Sequence, residues 1–216
     1  QLHKDGNQFY INMLDVSCII INYNTSNYTY EAVKSLYKTH KNILNFEIII
    51  VDNASKKDDY TNLKSKLNSL YKSNLKLIRS NINTGFGGGN MLGVSNASPT
   101  KYYAFINNDT LQVSKYCLKY LMEFLEAQPQ AGLCSPQMLD EHLNFRVTID
   151  HFSSLQREIL RRPFLETFFP KIYLNRKIRY KVPTKVHYVQ GSFMFIGSAD
   201  FNAIGGFDIK LFLYYE

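Results

Sequence analysis

The chain has 216 residues, 45% of them hydrophobic and 20% charged, and a formal net charge of +7. That length and composition suit one globular domain with a sizeable core, and exclude a disordered chain, a coiled coil and a collagen-like fibre. No run of about 18 apolar residues is present to span a membrane, and the first residues lack the basic-then-apolar order of a signal peptide.

Residues 1–12 are polar and without period, and read as an extension ahead of a domain at 13–216. Residues 16–22 (VSCIIIN) form a continuous apolar run ending in polar residues, the pattern of a parallel strand buried on both faces. Ala32, Val33, Leu36, Tyr37 and His40 then recur at helical spacing, and residues 46–52 (FEIIIVD) repeat the buried-strand pattern. Tyr60, Leu63, Leu67 and Leu70 make a second helical stripe, followed by a short strand at 75–79. A glycine-rich loop and a helix to Ala97 lead to a fourth strand at 102–107 (YYAFIN). Leu118, Leu121, Met122 and Leu125 mark a helix that Pro129 closes. Residues 131–138 predict a fifth strand, and 139–154 look irregular. Residues 187–196 (HYVQGSFMFI) alternate as a strand does, and 198–204 predict a short helix ended by Gly205 and Gly206.

Repeated strand–helix units of this length predict an α/β fold: a doubly wound, mostly parallel sheet with helices on both faces. Such sheets bind ligands at the carboxyl ends of their strands. The sequence puts polar residues there: Asn22, Tyr23 and Asn24 after the first strand, Asp52 and Asn53 after the second, and Asn107, Asn108 and Asp109 after the fourth. Each cluster alone is ordinary turn chemistry; three that end three hydrophobic strands form one binding mouth.

The loop at 83–90 (NTGFGGGN) has glycines at 85 and 87 but Asn90 at the third position of a dinucleotide fingerprint, and it follows the third strand rather than the first. It also lacks the Gly-Lys-Ser/Thr of a P-loop. Its glycines either let backbone amides approach a sugar or phosphate closely or make a tight turn.

Cys18, Cys117 and Cys134 lie far apart without metal-type spacing, and read as small apolar core residues of a reducing, cytoplasmic compartment. Of five Asn-x-Ser/Thr sequons, at Asn24, Asn27, Asn53, Asn96 and Asn108, several overlap the polar mouth, which points to the same compartment. The charge is local. Residues 156–185 hold nine basic and two acidic side chains, and the rest of the chain is balanced. Large apolar residues such as Phe164, Phe168 and Phe169 are interleaved with those charges. This mixture suits an anionic membrane surface or a phosphate-bearing substrate, or else the solvated face of a packed helix. No nucleic-acid motif accompanies it, and no nucleic-acid partner is expected.

Taken together, the ordered blocks Ile20 to Asn24, Val51 to Ser55, Asn83 to Asn90, Asn107 to Thr110, and Gly205 to Asp208 followed by Phe212 to Glu216 resemble glycosyltransferase family 2, in particular its bacterial rhamnosyltransferase-like branch. The resemblance runs from about Val16 to Glu216 and implies the GT-A fold. It implies a nucleotide-sugar site formed by Asn22, Tyr23, Asn24, Asp52, Asn53, Gly85, Phe86, Gly87, Asn90, Asn107 and Asp109. Tyr23 would stack near the base, and Asp52 would accept a pyrimidine imide N–H. Residues 107–109 stand in place of the family's Asp-x-Asp motif, with Asp109 as ligand to Mg²⁺ or Mn²⁺. Asn107 occupies the first carboxylate position and adds no charge there. Gln190 and Gly191 would lie near the acceptor.

The activity implied is inverting transfer of a sugar from a UDP- or dTDP-sugar to a saccharide or lipid-linked acceptor. The setting would be bacterial surface polysaccharide synthesis at the inner face of the membrane. Glu216 matches the glutamate of the family's Glu-Asp catalytic pair, and the sequence stops before the Asp. The expectation is therefore a domain truncated at its C-terminus. The alternatives are a catalytically incomplete nucleotide-sugar-binding module and, more remotely, a nucleotidyltransferase.

Overall fold

The computed structural model describes residues 13–70, 73–150, 162–169, 173, 175 and 177–212. The expected extension at 1–12 lies outside these. In chain order the first elements are β1 (Leu14–Asn22), α1 (Ser26–His40), β2 (Phe46–Asn53), α2 (Lys57–Asn68), β3 (Leu75–Ser80), α3 (Gly85–Ser95) and β4 (Thr100–Ile106). They are followed by α4 (Cys117–Ala127), β5 (Leu133–Cys134), β6 (Ile149–Asp150), α5 (Arg162–Phe168), β7 (Tyr188–Val189), β8 (Phe193–Gly197) and α6 (Ser198–Ala203).

The chain forms two compact units. One takes the residues up to Cys134 and those from Ser192 onward; the other is Ser135–Gly191. The first holds a six-stranded sheet in the order β3-β2-β1-β4-β8-β5. β1 pairs in parallel with β2 and β4, and β2 with β3, whereas β8 runs antiparallel between β4 and β5. This is the mostly parallel α/β sheet expected from the sequence. In the second unit β6 pairs antiparallel with β7.

The hydrophobic runs dictate the sheet's centre. All eight residues of β2 are buried, so both of its faces are covered. Ile19, Ile49, Val51, Tyr103 and Phe105 form one core layer with Phe201, and Met91, Leu92 and Phe207 pack against it. The alternate residues Cys18, Ile20, Ile48 and Ile50 are fully buried as well. Burial pushes all three thiols up, Cys117 to about 11 and Cys134 to about 12. Helix α3 lies close to β1 because Gly93 has no side chain: a Cβ there would stand 2.5 Å from Cγ2 of Ile19.

Two sequence expectations change. The strand predicted at 187–196 is split, with β7 in one sheet and β8 in the other. The interruption is Gln190-Gly191-Ser192, which offers no apolar side chain and includes a glycine that weakens a strand. The strand predicted at 131–138 shortens to Leu133–Cys134, because Pro136 has no N–H for a ladder.

His40 fastens α1 to the start of α4. It is fully buried, and its Nε2 accepts the N–H of Leu118 at 3.2 Å. The ring proton therefore sits on Nδ1, which lies 2.7 Å from Thr39 Oγ1 and 3.3 Å from the Leu36 carbonyl. Burial lowers its pKa from the ordinary 6.5, against the opposing pull of the Leu36 carbonyl. The unfolded chain thus takes up a proton at higher pH than the folded one does. The contribution of His40 to stability is constant above about pH 7 and falls as pH drops below about 6.5, down to the folded pKa. Urea unfolding from pH 7.5 to 5 should show this loss, with a slope of up to about 1.4 kcal/mol per pH unit. His40→Gln should remove that part of the slope.

Candidate functional site

The carboxyl ends of β1, β2 and β4 carry the polar clusters into one hydrogen-bonded network. Register puts Asn22 beside Asp52, and Asp52 beside Arg79. Asn22 is fully buried. Its Nδ2, with two hydrogens to give, lies within hydrogen-bond distance of three acceptors, Asp52 Oδ1 (2.9 Å), Ser55 Oγ (3.0 Å) and Asp59 Oδ2 (3.0 Å). Its Oδ1 accepts the Thr29 hydroxyl at 2.7 Å. Thr29 in turn accepts Asn108 Nδ2 at 2.9 Å, as Thr25 does at 2.6 Å. The end of β4 is thus tied to the end of β1 through the first turn of α1.

Asp59 serves two elements. Its Oδ1 accepts the Ser26 N–H at 3.0 Å, placing a carboxylate at the positive end of α1, where it is favoured. Burial acts to raise its pKa, but hydrogen bonds from Asn22 and Ser26 outweigh that and hold it below the ordinary carboxylate value.

The turn after β2 faces the turn after β1. Asn24 donates its N–H to Ser55 Oγ at 2.9 Å, and its Oδ1 accepts the Lys56 N–H at 2.8 Å. Asn24 (φ 56°) and Ala54 (φ 65°) both lie in the left-handed region, a local strain that the surrounding network sustains. Tyr23 stands at the rim, 49% exposed.

Asp52 has one oxygen satisfied and one not. Its side chain is fully buried, and Oδ2 has no hydrogen-bond partner. The nearest cation is Arg79, whose Nε is 3.5 Å away. The Arg79 guanidinium lies 4.1 Å above the Tyr60 ring, and its Nη2 donates to the Ser55 carbonyl at 3.1 Å. A buried acceptor without a donor is costly, and here it sits beside a guanidinium that is 37% exposed. The pair offers an acceptor next to a donor.

The segment read as a glycine-rich loop at 83–90 is helical from Gly85 onward, and it is arranged differently from an open anion cradle. The N–H of Gly85 donates to Asn83 Oδ1 at 2.9 Å, and that of Phe86 to the Phe212 carbonyl at 3.0 Å. Asn90 is buried and donates to the Phe86 carbonyl at 3.1 Å. Gly87 is buried in the first turn of α3. Asn53 binds this loop through both ends of its amide. The approach the glycines permit is therefore to protein: a Cβ on Gly89 would stand 2.9 Å from Ile21 Cδ1, and one on Gly85 2.1 Å from the Phe212 carbonyl oxygen.

Asn107 donates its N–H to the Ser192 carbonyl at 3.0 Å and is half-buried. Asp109 is exposed, and no hydrogen bond or ion pair holds its carboxylate among the described residues. Those residues contain no cluster of three or more His, Cys, Asp or Glu that could hold a metal alone. An exposed, uncommitted carboxylate beside an amide oxygen is a hard-oxygen donor set that fits Mg²⁺ or Mn²⁺ only if a ligand supplies further oxygens. Gln190 and Gly191 belong to the second unit, where the Gln190 N–H donates to the Thr148 carbonyl at 2.9 Å. Glu216 lies outside the described residues.

With the geometry in hand, residues 17–200 match the family described as Glycosyl transferase family 2. The chain belongs to this family. Among solved structures, the mannosyltransferase PcManGT from Pyrobaculum calidifontis, in complex with GDP-Man and Mn²⁺, has a TM-score of 0.61 at 15% identity. That likeness covers 93% of this chain and 49% of PcManGT. Residues 1–349 of TarS from S. aureus give a TM-score of 0.46 at 20% identity, over 77% of this chain and 52% of that 1–349 chain. This chain thus spans about half the length of the solved structures it matches. No curated protein sequence matches it. The likeness to PcManGT agrees with the GT-A fold expected for a family 2 chain.

Sequence reasoning missed Thr29, Ser55, Asp59, Arg79 and Tyr60. Arg79 had a signal: it ends the third strand as Asp52 ends the second, and adjacent parallel strands bring such ends together.

Proposed function

We propose that this chain transfers a sugar from a nucleoside-diphosphate donor to a saccharide or lipid-linked acceptor. The observation that carries this reading is Asp52 Oδ2 at the carboxyl end of β2 in a family 2 chain, which accepts no hydrogen bond and has Arg79 Nε 3.5 Å away. A uracil or thymine edge presents an imide N–H flanked by carbonyls. A carboxylate beside a guanidinium is its complement, and Tyr23 at the rim supplies a stacking surface. UDP- or dTDP-sugars are the proposed donors. The rhamnosyltransferase-like branch and the bacterial surface polysaccharide role belong to the same proposal.

In an inverting reaction the acceptor hydroxyl attacks the anomeric carbon, a carboxylate takes its proton, and the nucleoside diphosphate leaves with the bonding pair. Glu216 is proposed for the acceptor side, with Gln190 and Gly191. Asp109 and Asn107 would hold Mg²⁺ or Mn²⁺ together with diphosphate oxygens, and the ion would offset charge on the leaving group.

The second unit adds a surface feature. Phe164, Phe168 and Phe169 are exposed, as are Lys177, Arg179 and Lys181. This combination supports peripheral contact with an anionic membrane, where a lipid-linked acceptor would be found. No helix among the described residues is long and apolar enough to cross a membrane.

Calorimetry with UDP, dTDP, GDP and ADP tests the base assignment. Asp52→Ala should weaken UDP or dTDP binding by about 1.5–3 kcal/mol, the range for a charged hydrogen bond. Equal affinity for ADP would sink the assignment, and preference for GDP would move it to a guanine donor. Binding without donor turnover would favour the nucleotide-sugar-binding module instead.

Mn²⁺ should bind the protein weakly alone and more tightly with UDP present, since one carboxylate is too few for a site. Asp109→Asn should abolish the Mn²⁺-dependent gain in UDP affinity. A full gain in that variant would exclude Asp109 as the ligand.

Flotation on vesicles containing phosphatidylglycerol should carry the protein at low salt and release it as salt screens the charges. Replacing Lys177, Arg179 and Lys181 with Gln should reduce flotation severalfold. No flotation would return this face to ordinary solvated surface.

A further inference from the structure

Asn53 follows Asp52 directly, yet its side chain is spent on the protein itself. It is 2% exposed. Its Nδ2 donates to Asn83 Oδ1 and to the Gly85 carbonyl, both at 2.9 Å. Its Oδ1 accepts the N–H and the hydroxyl of Thr84, both at 3.1 Å. Both amide hydrogens and both lone pairs are spent on three consecutive loop residues, so a donor ligand could be met only by breaking a buried bond.

The turn so held is itself a dock. Gly85 takes φ +73°, and a Cβ there would meet the Phe212 backbone at 2.1 Å. The next residue, Phe86, gives its N–H to the Phe212 carbonyl at 3.0 Å. Its ring packs edge-on against Phe207, with centroids 5.6 Å apart. One turn further along α3, Met91 Sδ occupies the space that a Cβ on Gly206 would need, at 2.6 Å. Residues 205–212 therefore lie along the start of α3 through a backbone bond, a ring pair, a backbone contact at Gly85 that leaves no room for a Cβ, and the packing of Met91 on Gly206.

We infer that Asn53 is a positioning residue: it holds the turn at 83–85 and, through that turn, fixes residues 205–212 against α3. The base-reading Asp52 and the anchor of the C-terminal segment are then adjacent residues of one rigid strand end. The consequence for catalysis rests on the sugar-transfer reading, because residues 205–212 lead toward Glu216. The mechanical link itself does not.

The test uses protein labelled with ¹⁵N-phenylalanine and amide exchange followed by NMR. The Phe86 amide reports the bond to Phe212, and the Phe105 amide, inside β4, reports the sheet. In Asn53→Ala the Phe86 amide should exchange at least tenfold faster, with Phe105 unchanged and UDP affinity within threefold of wild type. Gly85→Ala approaches the same contact from the other side. It should also expose the Phe86 amide while leaving Asn53 intact, and it serves where Asn53→Ala does not fold. Unchanged Phe86 exchange in either folded variant overturns the inference. A tenfold loss of UDP affinity in Asn53→Ala with Phe86 still protected would make Asn53 a ligand residue, which also overturns it. If wild type binds no nucleoside diphosphate but Phe86 loses protection in Asn53→Ala, the sugar-transfer reading fails and the positioning role stands.

Discussion

The mouth of this sheet depends on one buried amide. Asn22 ends β1, and its side chain reaches β2 through Asp52, the following turn through Ser55, α2 through Asp59 and α1 through Thr29. Parallel strands by themselves align only their backbones; the loops beyond them are free to diverge. A single side chain that satisfies acceptors from three elements fixes those loops relative to one another. Because the amide is fully buried, removing it would strand several polar groups at once, each at a cost of about 1–3 kcal/mol. Thr29 extends the bracing to Asn108 and so to the end of β4.

That arrangement explains which polar residues at the mouth are free to act. Asn22, Asn53 and Asn108 are committed to protein partners. Asp52 keeps one oxygen that accepts no hydrogen bond and lies 3.5 Å from Arg79 Nε, Asp109 is exposed, and Tyr23 is half exposed at the rim. The division follows chemistry. Amides carry both donors and acceptors and so can join loops that present both kinds of group, whereas carboxylates only accept. The asparagines, together with Asp59, therefore build the frame.

Much of the fold was legible because its signals are periodic and local. The apolar runs of β1 and β2 could only be buried parallel strands, and the stripes on α1, α2 and α4 follow the helical period. The failures came where long-range partners decide. The strand read at 187–196 breaks because Gln190 and Ser192 have no apolar surface to bury, while its two halves find partners in different units. The polar clusters were legible as a mouth, but not the role of each member. Asn53 and Asp52 are both polar residues at a strand's end, and only three-dimensional placement shows that one is spent on the turn at 83–85 while the other, equally buried, keeps an oxygen beside Arg79 that accepts no hydrogen bond. Arg79 and Asp59 escaped because each acts across elements distant in sequence. The glycines at 83–90 read, in the sequence, as letting backbone amides approach a sugar or phosphate, or as a tight turn; the close neighbours they have are Ile21 and the Phe212 backbone, which spacing does not reveal.

Those glycines bear on the order in which the protein assembles. α3 has glycine at five of its eleven positions, each weaker than alanine by about 1 kcal/mol in a helix. Such a segment has little tendency to be helical alone and forms only when β1 and β2 are already paired to receive it. Folding should therefore begin with the β-branched strands and the amphipathic α1, with α3 condensing afterwards. Substitutions in α3 would then act on the unfolding rate more than on the folding rate. The part of the molecule that completes the mouth would be the last to arrive and the first to leave.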